Sequence, residues 1–499
     1  MALISKSTFL EFQMCPKDTW LKLHKPELVA EFTPTEFELH LMEQGNEVEA
    51  VARQLFPGAV MVTGNRDEAC SETARLMAAG TPAIFQATFV ADGFLIKCDV
   101  LVSGAAPDTW DVYEIKGTNS KKEGNEDRDH VSDLAFQANV LKAAGIKTGR
   151  LFIVHLNKEY VRSGALTIEE LFVKDDSTEQ VNDIRADIGK EMHAARAFLN
   201  RAEEPGIGCD CDRKGRNRHC RTFAYSHPEV PEYSVHDIVR IGSSKKKLSY
   251  FVDQHIYTLD DIPPDFELGD AQINQVRAHK QKNPIVDGAA IAAALEAYQY
   301  PLCFFDYETF APAIPAFDGF SPYQRIPFQF SLHILREPEG ELEHVEFLHE
   351  EKSDPTGVAA TMLAKHIAPG GSVVVWYAPF ERGVNQEIGK RIPQFSAIIE
   401  RINGQLVDLR QIFAEQHFVH PGFRGSTSIK AVLPVLVPEL SYKDLVIQEG
   451  ATASEQWWKM VATDTPAAER MAIVAALRAY CKRDTYAMYA IWKKLQSSG

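Results

Sequence analysis

No apolar run in the 499-residue chain approaches the roughly 20 residues needed to cross a bilayer. The stretch from Met1 to Trp20 also lacks a basic region followed by an apolar core and a small-residue cleavage site. Together these absences argue against a membrane partner and lead us to expect a cytoplasmic protein. Cysteine is scarce as well: eight in so long a chain are too few for a disulfide framework, so cysteines that cluster read better as metal ligands. Basic residues are outnumbered, 53 Lys and Arg against 69 Asp and Glu, for a net charge of −16. That balance argues against indiscriminate coating of nucleic acid. Local basic stretches, Arg213 to Arg221 and Lys245 to Lys247, can still follow a phosphate backbone. Neither internal repeats nor low-complexity tracts occur.

What is present is an ordinary folded composition, 45% hydrophobic and 24% charged, in a chain long enough for more than one core. The pattern is α/β and divides into three parts, 1–222, 223–299 and 300–499. The first part has amphipathic helices, strand-like runs at Ala83–Val90, Phe94–Val102 and Thr109–Lys116, and then more helices. The second, broken by Pro and Gly, reads as a small helical connector. The third starts with strands at Leu302–Phe305, Pro327–Leu335 and Leu342–His349 and continues with a helix near Asp354. A buried strand at Val373–Tyr377 and a closing helix from Pro466 to Leu495 complete a βββαβα order.

Asp306 and Glu308 stand two apart where the apolar run Leu302–Phe305 ends. On a strand both carboxylates project from one face, which is costly without a cation unless the strand end meets solvent. In the closing helix Ile473, Leu477, Asp484, Met488, Ile491 and Leu495 share one stripe. Asp484 therefore sits within an apolar face and calls for a metal or a cationic partner. Tyr480 lies one turn earlier on that face.

Over roughly residues 300–496 this pattern resembles the DnaQ-like exonucleases of the RNase H-like fold. That family places Asp-x-Glu on its first strand and its last acid on the closing helix, with Tyr four residues before it or His five before it. Tyr480 fits the tyrosine variety, and Ala479 fills the other position. The family's middle motif, Asn-x-x-Phe-Asp, has a partial counterpart in the run from Val375 to Glu381, with Tyr377 for the Asn and Glu381 for the Asp. Asp408 is a nearby substitute. The resemblance implies that Asp306, Glu308, Glu381 and Asp484 hold two magnesium or manganese ions, and that Tyr480 orients water for 3′ to 5′ cleavage. A fold that has lost its metal chemistry is the alternative.

In the first part, Asp99 lies on one strand and Glu114 with Lys116 on the next, the latter two on a common face. A surface strand carrying a Glu and Lys ion pair would explain this. So would a metal site, since charges at core positions need partners. The pattern resembles the Asp, then Glu-x-Lys signature of restriction-endonuclease-like, or PD-(D/E)XK, nucleases. Gln137 resembles the helical glutamine of the RecB-like branch, although Leu141 replaces the usual Tyr and Glu49 stands where Gly-x-x-x-His would place histidine. The resemblance implies a magnesium ion on Asp99, Glu114 and the Ile115 carbonyl, with Lys116 positioning the water or steadying developing phosphoryl charge.

Cys15 near the start and Cys209, Cys211 and Cys220 later resemble the four-cysteine arrangement of iron–sulfur RecB-like nucleases. That implies a [4Fe–4S] cluster. Zinc is one alternative, given the Cys-x-Cys spacing and His219 beside Cys220, and cysteines that bind nothing are the other. Cys70, Cys98, Cys303 and Cys481 fall in apolar patterns and read as core residues. Nearly the whole chain also resembles an uncharacterised bacterial family of unknown function. The expectation is a DNA nuclease with two phosphodiester-hydrolysing sites, acting on single-stranded or end-containing DNA in repair, recombination or defence. An inert nucleic-acid-binding scaffold and a ribonuclease are the rivals.

Overall fold

The computed structural model describes residues 3–122 and 129–497. Its architecture is mixed α/β, and the chain divides into two compact units. The N-terminal unit comprises 1–212, 219–228 and 312–324, and the C-terminal unit 213–218, 229–311 and 325–499. Among the described residues, no helix is long and apolar enough to cross a membrane.

In the N-terminal unit, β1 (Ile4–Ser5), β2 (Val60–Met61), β3 (Ala83–Ala91), β4 (Phe94–Ser103), β5 (Thr109–Lys116), β6 (Lys147–Leu156) and β7 (Phe172–Asp176) form one sheet. Its order is β2-β3-β4-β5-β6-β7, with β1 added against β4. The antiparallel β3-β4-β5 meander follows from short turns at Asp92-Gly93 and 104–108. The helix His130–Ala143 then makes the crossover that lets β6 pair parallel to β5. Here the structure differs from the sequence reading, which placed only helices after Lys116. Six successive buried residues, Leu151 to Leu156, give β6 no alternation of period two, and such a run cannot be told from a buried helix by periodicity. One face of the sheet packs Phe9, Trp20, Phe136 and Leu141, and the other packs Val48, Phe56, Ala313 and Ile314. Within this unit the Tyr323 hydroxyl donates to the Gly117 carbonyl, one residue beyond Lys116.

The C-terminal unit holds a five-stranded sheet of order β11-β10-β9-β12-β13 among its described residues. These strands are β9 (Leu302–Phe310), β10 (Ile326–Leu335), β11 (Leu342–Leu348), β12 (Ser372–Val375) and β13 (Leu406–Asp408). β9, β10 and β11 form an antiparallel meander, while β12 runs parallel to β9 and β13 parallel to β12. Of these five strands, β13 alone escaped the sequence reading, being three residues long. Residues 229–298 belong to this unit and contain short helices, as their Pro and Gly content predicts. They also contribute β8 (Ile285–Val286), which pairs with β14 (Phe418–Val419). Cys303, Phe305 and Tyr307 of β9 point into a core with Phe330, Val373 and Ile388. The opposite face meets the closing helix, Ala467–Gln496, where Gln329 donates to the Leu477 carbonyl (2.9 Å) and Ser331 bonds Thr485 (2.7 Å).

Candidate carboxylate and cysteine sites

Because Phe305 and Tyr307 face the core, alternation turns Asp306 and Glu308 toward the closing helix. Asp484 is 7% exposed there, and Tyr480, one turn earlier, is 5% exposed. The ligand-capable atoms of Asp306, Glu308 and Cys481 lie within 4.8 Å of one another. Burial first, and then Asp484, Glu308 and Glu381, push the Asp306 carboxyl well above the usual range. Burial and Asp484 do the same to Glu308, with Lys430 opposing. Asp484 is pushed up to about 6 by burial, against the Tyr442 hydroxyl, Lys430 and Tyr480. Tyr442 donates to Asp484 Oδ1 at 2.5 Å. Nothing in the sequence singled out Tyr442, one residue in an irregular segment, or Lys430, one residue at the start of the short helix Ile429–Leu436. Cys481 was read as core; it is buried, with its thiol beside the Asp306 carbonyl.

Glu381 occupies the first turn of the helix Ala378–Arg391 and is 3% exposed. Burial raises it to about 8, and its Oε2 has no hydrogen-bond partner among the described residues. Such an orphaned oxygen is rare and asks for a cation or a proton. Asp408 is differently placed: Oδ2 accepts from Ala378 N (3.1 Å) and Oδ1 from Arg410 N (3.0 Å), so it caps the start of the Ala378–Arg391 helix and the turn after β13. Tyr377 is half exposed, with the Arg410 guanidinium over its ring. The acids fit hard divalent ions: carboxylate oxygens outnumber the one nearby thiol, Cys481, their charges raise Asp306 and Glu308, and one oxygen of Glu381 is unsatisfied.

Strands β4 and β5 of the N-terminal unit set Asp99 next to Glu114, and Asp99 Oδ2 accepts from Ile115 N at 2.9 Å. Burial, reinforced by Glu114, raises Asp99 to about 8, with Lys6 opposing and Glu49 adding to the rise. Glu114 is almost fully buried, yet Lys116 and Lys6 overcome that burial and hold it below the usual carboxylate range. Its Oε1 takes both Lys6 and Lys116 (3.0 Å), and its Oε2 takes the Gln137 amide at 2.6 Å. Lys116 also pairs with Asp133. Sequence reasoning missed Lys6 and Asp133. The latter had a signal, being four residues before Gln137 on one helix. Glu49 Oε1 accepts from Gln86 (2.7 Å) and Arg53 (2.6 Å), and Gln86 reaches on to Asp99 at 3.4 Å. Gln86 holds φ +55 inside β3. Leu141 is wholly buried in the core.

The Sγ atoms of Cys15, Cys209, Cys211 and Cys220 gather within 4.8 Å of one another, as the sequence led us to expect. Cys15 ends the helix Lys6–Met14 and precedes Pro16–His24. Asp18 then clamps the late segment, accepting from Thr222 N (2.9 Å), Thr222 Oγ1 (2.8 Å) and Arg221 (2.9 Å). Hydrogen bonds with Cys15, Cys211 and Cys220 push Cys209 down; those from Cys209 and Cys211 push Cys15 up, and those from Cys15, Cys209 and Cys211 push Cys220 up. All four thiols are free, so the group can bind a metal. The His219 ring instead stacks on Phe223, 3.5 Å between centroids. Cys98 and Cys303 are buried as expected, and Cys70 only partly so.

Residues 303–428 match a family described as Domain of unknown function (DUF2779), a narrower span than the near whole-length likeness expected. It includes Asp306, Glu308 and Glu381 but ends before Tyr480 and Asp484. No curated protein matches the chain.

Proposed function

We propose that the protein is a metal-dependent nuclease whose C-terminal carboxylates hydrolyse phosphodiester bonds at strand ends. The observation that carries this reading is the burial of Asp306 and Glu308 side by side, both raised by Asp484 and Glu381, with Glu381 Oε2 left unpartnered among the described residues. Two divalent ions bound by this set would supply an activated nucleophile and charge stabilisation for the leaving oxygen. The chain's own residues do the positioning. Tyr480, one turn before Asp484, would orient water there; Tyr442 donates to the Asp484 carboxylate, and Lys430 brings positive charge toward Glu308 and Asp484. The β9-β10-β11, helix, β12, closing-helix order supports an RNase H-like assignment with a DnaQ-like, tyrosine-type site.

The N-terminal unit is read as PD-(D/E)XK, RecB-like, on Asp99, Glu114, Lys116 and Gln137, with the four thiols holding a [4Fe–4S] cluster or zinc. A scaffold role gains one specific support there: Lys6 and Lys116 already neutralise Glu114. Single-stranded DNA, in repair, recombination or defence, is the preferred substrate. End-labelled DNA and RNA strands incubated with the protein and Mn²⁺ test the proposal. Degradation from the 3′ end that Asp306→Ala reduces at least about 10²-fold is the expected result. No cleavage by the wild type, or equal cleavage by the variant, refutes it; faster loss of RNA than DNA reassigns the substrate.

A further inference from the structure

Glu114 sits at the centre of the N-terminal cluster, and its hydrogen-bonding capacity is nearly filled. Gln137 donates to Oε2, whereas Oε1 carries two ammonium groups, Lys6 and Lys116. A carboxylate oxygen offers two lone pairs, so Oε1 has no position left for a third cation. The two lysines are held differently. Lys116 also pairs with Asp133 and shows 17% of its side chain, on the strand it shares with Glu114. Lys6 shows 27%, and Glu114 is its single ion-pair partner among the described residues.

The backbone of Lys6 is nevertheless fixed. Ile4 and Ser5 pair with Phe94 and Leu95 of β4, the strand that leads to Asp99, and the Ser5 hydroxyl caps the helix that Lys6 begins, accepting from Thr8 N at 3.1 Å. A flexible four-carbon stem on a fixed base delivers its ammonium into the carboxylates and can withdraw it toward solvent.

We propose that Lys6 is a built-in cation of this cluster, which a small divalent ion must displace to reach Glu114, so that Lys6 sets the metal affinity of the N-terminal unit. This deepens the reading of Asp99 and Glu114 as metal ligands and rests on it. It also accounts for how buried acids fold together without metal: the internal ammonium compensates a charge that would otherwise be stranded. With an ion held by Asp99 and Glu114, Lys6 would be freed from Glu114, and its charge would then be available to a phosphate oxygen.

Mn²⁺ binding to the full chain, read by electron paramagnetic resonance, tests this in an Asp306→Asn, Glu308→Gln background that silences the other carboxylate set. Lys6→Met should bind Mn²⁺ at least about tenfold more tightly than its parent and melt at a lower temperature without metal. Lys6→Arg should show no gain. Reductive methylation of the parent offers a second readout if Lys6→Met fails to fold, and saturating Mn²⁺ should raise labelling of Lys6 severalfold. Unchanged or weaker Mn²⁺ affinity in Lys6→Met, or labelling indifferent to Mn²⁺, overturns the proposal. Adding Asp99→Asn with Glu114→Gln separates the two levels. If that variant binds Mn²⁺ like its parent, the metal reading itself fails and Lys6 with it; if it loses Mn²⁺ while Lys6→Met gains nothing, only Lys6 fails.

Discussion

Asp484 and Glu381 differ from surface acids by their solvation, and that difference has a measurable sign. A carboxyl whose folded pKa exceeds its unfolded value binds protons more readily when folded. Its stabilising contribution is complete below the unfolded value and is lost as pH rises through the folded one. For Asp484 that window runs from 3.8 to about 6, for Glu381 from 4.5 to about 8, and Asp306 and Glu308 lie well above the range of ordinary carboxylates. The metal-free C-terminal unit should therefore weaken between pH 4 and pH 8. Ions that bind the carboxylate form recover this loss, adding about 2.7 kcal/mol at a hundredfold excess over Kd. The rise in Tm on adding Mn²⁺ should be larger at pH 8 than at pH 5, and the combined Asp306→Asn, Glu308→Gln variant should flatten the difference. A Tm gain independent of pH would rule out these acids as the ligands.

At the level of elements, the start of β12 shows how backbone geometry places the acids. Gly371 has φ +76, and a Cβ there would stand 2.3 Å from the Pro301 carbonyl oxygen. The close approach lets Ser372 and Val373 pair with Leu302 and Cys303 of β9, bringing the Glu381 helix to the strand of Asp306. Gly371→Ala should cost about 1–3 kcal/mol through left-handed strain and the clash. Gly404→Ala, helical and with nothing within 4 Å, should be neutral or gain up to about 1 kcal/mol. Urea midpoints of the two variants check the contrast, and equal midpoints would show that β12 needs no glycine. Elements that obey one period were legible in the sequence. The β3-β4-β5 and β9-β10-β11 meanders alternate or end at clear turns, and the closing helix carries a stripe that put Asp484 beside Asp306 and Glu308. β6 was not legible, because strands buried on both faces lose their alternation. Lys6 and Tyr442 were not either: a lysine at a helix start and a tyrosine in a loop carry no periodic signal, and their roles arise from pairing across 108 and 42 residues.

The whole molecule carries its net charge of −16 unevenly in function: two sets of acids are buried, and each must be compensated within its own unit. The N-terminal unit holds lysines paired directly with Glu114 and four thiols, whereas in the C-terminal unit Lys430, Arg483 and Arg325 lower Glu308, Asp484 and Glu381 without an ion pair to them among the described residues. Metal should therefore act differently on the two. Cys15 and Cys220 stand about 200 residues apart in the sequence, so an ion or cluster on the thiols closes a loop spanning most of the N-terminal unit, and its binding energy adds directly to folding. Cys15→Ser should lower the unfolding transition of that unit in calorimetry while leaving the Mn²⁺-dependent transition of the other in place. Protein purified without oxygen should be brown with broad visible absorption if the thiols hold [4Fe–4S], and colourless with one bound zinc if they hold that ion. A Cys15→Ser chain that keeps both metal content and melting profile would remove the thiols from any structural role, because a four-cysteine site that loses one ligand without effect is not holding that loop closed.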